Sequence, residues 1–124
     1  MSTTDTLEGV DVAALFASID RFDSEAFSAF FAEDATYVFA NHPPIQGRDA
    51  IVAAAAEFWV TLEGIEHELV QIIPFPGGFV SQLAITFALS AGRTVELPVA
   101  VITRTADGLI RDHRIYVDAT PLAG

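Results

Sequence analysis

Few side chains in this sequence can do chemistry: histidines at 42, 67 and 113, tyrosines at 37 and 116, and no cysteine at all. An imidazole takes and returns a proton near neutral pH, so His113 is the leading candidate for acid/base work. It stands beside Arg111, Asp112 and Arg114. Tyr37, within Thr36-Tyr37-Val38-Phe39, is the candidate donor to a ligand oxygen, and Gln82 is a third polar tip suited to orienting a ligand. The plain alternatives are a half-exposed strand histidine and a core tyrosine ring with its hydroxyl at the rim. His67 and Glu96 are adequately explained as solvated strand faces. The histidine spacing resembles no chelating pattern, and without cysteine there is no thiolate zinc site. The segment Pro74-Phe75-Pro76-Gly77-Gly78 lacks the lysine and following helix of a phosphate loop. Neither metal nor cofactor is expected.

Three helices are predicted before most of the strands. Val12, Leu15, Phe16 and Ile19 recur at helical spacing within Asp11 to Arg21, and Phe27, Phe30 and Phe31 mark a second helix from Ser24 to Ala32 with Asp23 as its N-cap. Thr36 to Phe39 reads as a short strand, stopped by Asn41-His42-Pro43-Pro44. The Ala-rich run Ala50 to Leu62 reads as a third helix with Gly64 as its C-cap. Asp34 is expected to end one helix and Arg48 to open the next. Four strand-like runs follow, Glu66 to Ile73, Phe79 to Leu89, Thr94 to Thr105 and Leu109 to Val117, separated by turn residues such as Asp107-Gly108. The expected fold class is α+β, with three N-terminal helices on one face of a curved antiparallel sheet. The later strands are apolar on both faces, which predicts a homodimer through the outer face of the sheet.

A length of 124 residues with 52 % hydrophobic side chains supports one domain over 1–124, with residues 1–8 expected to be flexible. The formal charge of −11, from 17 acidic and 6 basic residues, repels a phosphate backbone or an anionic membrane. Nucleic acid and membrane are therefore not expected partners. No run approaches the roughly 18 apolar residues a membrane span needs, and Met1 to Val10 does not read as a signal peptide, so a cytoplasmic location is expected.

Phe30-Phe31-Ala32-Glu33-Asp34-Ala35-Thr36-Tyr37, Pro43-Pro44, Gly47-Arg48-Asp49-Ala50-Ile51 and Asp107-Gly108-Leu109-Ile110, taken in order, resemble the SnoaL-like branch of the NTF2-like superfamily. Its relatives include polyketide cyclases, limonene epoxide hydrolases and ketosteroid isomerases. The resemblance implies a cone-shaped roll around an internal pocket. It also implies that the acid/base aspartate of the cyclases, two positions after a His or Trp on the last strand, falls at Ile115. The Arg and Asp of the epoxide hydrolases fall at Gln82 and Ala84, and the isomerase base and tyrosine fall near Phe39 and Leu15.

If the family's inward parity holds, the pocket is lined by Phe16, Tyr37, Phe39, Phe58, Trp59, Leu62, Leu97, Val99, Ile115 and Val117, with Asn41 and His42 at its mouth. Asp118 has the opposite parity from His113 and belongs outside. Such a pocket suits a small hydrophobic molecule held by shape and a few hydrogen bonds. The expected activity is that of a cofactor-independent acid/base lyase, isomerase or cyclase, with His113 as acid/base and Tyr37 as donor. The alternatives are a non-catalytic ligand-binding protein and a dimerisation module of the same fold.

Overall fold

The Asp11 carboxylate accepts from the Ala14 N–H at 3.0 Å and starts the first helix, α1 (Val12–Asp20), which buries Val12, Leu15, Phe16 and Ile19 along one stripe. Two-residue strands β1 (Thr6–Leu7) and β2 (Val10–Asp11) pair just before it. The computed structural model describes residues 6–123. The flexibility expected for residues 1–8 thus lies, for 1–5, outside the described residues, and Thr6–Leu7 are a strand.

Asp23 caps the next helix as expected, accepting from the Ala26 N–H at 3.1 Å. That helix, α2 (Ser24–Ser28), is shorter than its Phe spacing predicts, because β3 (Phe31–Phe39) begins where the third helical turn was expected. Phe27 still packs edge-on against Phe31, 4.9 Å between centroids. The apolar run serves a helix and then a strand on the same core, which periodicity alone does not separate. Asp34 consequently lies within a strand and pairs with Arg111 at 2.8 Å.

After the two-residue strand β4 (Ile45–Gln46), α3 (Arg48–Trp59) opens at Arg48 as expected and buries Ile51, Ala55 and Trp59 at a four-residue interval. It is capped at Val60, four residues before Gly64, which instead starts β5 (Gly64–Phe75). The remaining strands are β6 (Gly78–Ala88), β7 (Thr94–Ala106) and β8 (Leu109–Tyr116), followed by a last short helix, α4 (Thr120–Ala123). Asp107 and Gly108 both have positive φ, 55° and 78°, and make the tight reversal between β7 and β8.

Six strands form one sheet in the order β4-β3-β8-β7-β6-β5. Most neighbours are antiparallel, but β3 runs parallel to β8, so the sheet is mixed rather than purely antiparallel. The parallel pair is a crossover rather than a hairpin: β4, α3 and the strands β5 to β7 lie between β3 and β8 in the chain. One row of residues crosses four strands, Tyr37 opposite His113, His113 opposite Thr103, and Thr103 opposite Phe79. Side chains of one row share a face, and this face looks toward α1 and α3.

Candidate functional site

Between the inner face of the sheet and the helices lies a cavity of about 840 Å³. Its walls are largely aromatic: Phe16, Phe27, Phe39, Phe58, Trp59 and Phe87. Leu83, Ile85, Val101 and Ile115 form its floor on the sheet. It opens past Pro43, Pro44 and the C-terminal Ala119 to Ala123. A shallower depression of about 470 Å³ lies outside, lined by Asn41, His42 and Tyr116 to Thr120. Its titratable side chains, His42, Tyr116 and Asp118, are exposed; in the inner cavity Glu57 and His42 are exposed at the rim, whereas Tyr37, His67 and His113 are sheltered.

His113 is 1 % exposed, and its Nδ1 lies 3.1 Å from the buried Thr103 Oγ1. The Tyr37 ring stacks on it with 5.5 Å between centroids and 19° between planes, and Phe31 meets its edge at 5.7 Å. Burial pulls the His113 pKa down from 6.5 to about 4, against the smaller upward pull of Asp112 and with a further downward push from His67. The ring is therefore neutral near pH 7 and offers one N–H and one lone pair. Burial also pushes the Tyr37 hydroxyl well above the ordinary tyrosine range, so it stays protonated and donates.

The largest departure from the sequence reading is His67. Its side chain is 5 % exposed, lines the cavity, and stacks on Phe16 at 5.1 Å. Its Nδ1 is 2.6 Å from Asp20 Oδ1, and its backbone N–H donates to the same carboxylate at 3.1 Å. Asp20, at the end of α1, was not singled out from sequence. The signal was present in the strand: Ile65 and His67 share a parity and lie opposite Phe87 and Ile85, both cavity residues.

Of the other expected site residues, Phe16, Phe39, Phe58, Trp59, Ile115 and His42 line the cavity as predicted. Gln82 does not. It is exposed on the outer face and accepts from the Gln71 amide at 3.0 Å, because the inward positions of β6 are Leu83 and Ile85. Leu62, Leu97 and Val99 are buried in the core without lining the cavity. Asn41 and Val117 line the outer depression. Asp118 lies there too, exposed, and accepts from the Thr120 N–H at 3.1 Å.

No group of three or more His, Cys, Asp or Glu suited to a metal occurs among the described residues. No helix among them is long and apolar enough to cross a membrane.

The sequence model of the SnoaL-like domain matches residues 12–113. No curated protein matches the sequence. Among solved structures, a putative SnoaL-like polyketide cyclase from Jannaschia sp. CCS1 is similar over 99 % of this chain and 93 % of its own, at 18 % identity and a TM-score of 0.84. An LEH-like epoxide hydrolase of M. tuberculosis is similar over 94 % of this chain and 85 % of its own, at 18 % identity and a TM-score of 0.79. A hypothetical protein with a ketosteroid isomerase-like fold from Catenulispora acidiphila DSM 44928, in complex with trimethylamine, covers 90 % of this chain and 85 % of its own at 21 % identity and a TM-score of 0.80. Identities this low establish a shared fold and leave activity to the site itself.

Proposed function

The chain belongs to the SnoaL-like domain family, and from that premise we propose that its cavity binds a small, largely apolar molecule whose polar atom is met by Tyr37 and His113. The observation that carries this reading is the contrast inside the cavity: aromatic walls surround a buried neutral imidazole and a protonated phenol. Apolar walls supply affinity, and a few fixed polar groups supply orientation. No lysine or arginine lines the cavity among the described residues, so a neutral ligand fits it better than an anion.

The chemistry such a cavity supports is proton transfer within one bound molecule, as in an isomerase, lyase or cyclase. Placement in a site that excludes water provides the catalysis, with no covalent intermediate. A carrier without turnover is the second reading, favoured by Ile115 standing where the cyclases hold their aspartate. The sheet's outer face carries Val80, Ala84, Pro98, Ala100 and Ile102, and we propose that a second copy covers it. Glu96 lies at one end of this face and Arg104 at the other, so a two-fold partner turned end to end brings opposite charges together.

Calorimetric titration with 2-tetralone, a neutral bicyclic ketone, tests the pocket reading. Saturable binding that is lost in Ala55→Phe, which fills the cavity from α3, is the expected result. Binding unaffected by that substitution contradicts it.

A further inference from the structure

We infer that His67, oriented by Asp20, is the proton acceptor of the cavity, and that Tyr37 and His113 are the donors facing it across the bound molecule. The inference rests on the ligand-pocket reading above and assigns roles within it.

The argument begins with what each imidazole nitrogen touches. An ionised carboxylate only accepts, so the 2.6 Å contact from His67 Nδ1 to Asp20 places the proton on Nδ1 and leaves a lone pair on Nε2. Asp20 is itself fixed by the His67 backbone N–H, so carboxylate and ring form one closed unit at the junction of α1 and β5. Phe16 stacks on the ring and sets its plane. Nε2 has no protein partner among the described residues, and the side chain lines the cavity. When Nε2 takes a proton, the carboxylate behind Nδ1 offsets the new charge.

His113 is built differently. Its Nδ1 faces a hydroxyl, with no carboxylate in hydrogen-bond contact, and the ring is enclosed by Phe31, Tyr37 and Thr103. A hydroxyl both donates and accepts, and the role inferred for His113 takes Thr103 as the donor to Nδ1, which puts the ring proton on Nε2. Neutral His113 then presents an N–H and Tyr37 an O–H. Both are in place before charge develops on a ligand oxygen.

The substrate class that uses all four residues is an apolar carbonyl compound with an acidic C–H beside the carbonyl. The proton passes from that carbon to His67 Nε2. The C–H electron pair becomes the new C=C bond, and the carbonyl π pair moves onto oxygen, where Tyr37 and His113 hold it. Return of the same proton to the original or a conjugated carbon restores the imidazole. Atoms and charge balance without oxidant, reductant or water.

The test is exchange of the α-hydrogens of 2-tetralone in deuterium oxide, followed by proton NMR with the full chain. We expect the wild type to exceed the buffer rate and His67→Gln to lose that excess by about 100-fold or more. Asp20→Asn should lose about 10- to 100-fold, in kcat rather than KM. Its ¹⁵N-histidine spectrum should show His67 leaving the single Nδ1–H tautomer, which a purely structural role would not produce. Bound 2-tetralone with no exchange beyond buffer overturns this inference while leaving the pocket reading intact. Exchange that survives in His67→Gln and disappears in His113→Gln also overturns it. Failure of 2-tetralone to bind counts against the pocket reading and takes the inference with it.

Discussion

Tyr37 and His113 are register partners across the parallel pair β3 and β8, and their rings stack 5.5 Å apart at 19°. Residues thus far apart in sequence meet because β3 closes the sheet against the last strand. The same row continues to Thr103 and Phe79, so the buried imidazole is held on one side by an aromatic face and on the other by a hydroxyl.

Burial of His113 makes stability depend on pH with a definite sign. Its folded pKa, about 4, lies below the ordinary 6.5, so the unfolded chain binds the extra proton. The neutral fold is undisturbed above pH 6.5 and is destabilised as pH falls from there to about 4. The full difference corresponds to about 3 kcal/mol. Urea unfolding at pH 7.5 and 4.5 should show a loss in the wild type that exceeds the loss in His113→Gln by about 2–3 kcal/mol. Equal losses would mean that His113 is solvated.

Thr103→Val keeps the shape of the side chain and removes the hydroxyl opposite His113 Nδ1. A buried nitrogen left without a partner costs about 1–3 kcal/mol. Equilibrium unfolding should register that loss for Thr103→Val and much less of it for Thr103→Ser. Comparable losses in the two variants would assign the effect to packing.

Ser81, on the same face of the sheet, carries the opposite expectation. Its hydroxyl is buried and has no partner among the described residues. Ser81→Ala removes an unsatisfied polar atom without opening a cavity, so stability should be unchanged or rise by up to about 1 kcal/mol. A loss above about 1 kcal/mol would reveal a hydrogen bond at this position.

Much of this architecture was readable from residues because the signals were local. The Asp23 cap, the Asp107-Gly108 reversal and the four long strands each depend on neighbours in sequence, and they lie where propensity and pattern put them. The family resemblance, carried by motifs spread over most of the chain, predicted the roll correctly. The misreadings came from assigning strand residues to the wrong face, for Gln82 by carrying the family's inward parity onto a strand that runs in regular register with β7. A one-position error turns a strand residue to the other face, which is how Gln82 was read inward and its neighbours Leu83 and Ile85 were passed over. His67 was read as part of a solvated strand face, yet only its neighbours Glu66 and Glu68 are exposed on β5, and its own side chain lines the cavity. Its partner Asp20 lies 47 positions away, and no local pattern announces a pairing at that separation.

The central claim, that the inner cavity holds the ligand, is tested most directly by the protein's three histidines. His67 and His113 lie inside and His42 at the mouth. Selective ¹⁵N-histidine labelling and titration with 2-tetralone should move the ring signals of His67 and His113 saturably and together. A response confined to His42, or no response in any ring, would contradict the claim and leave a fold whose cavity serves no ligand of this class.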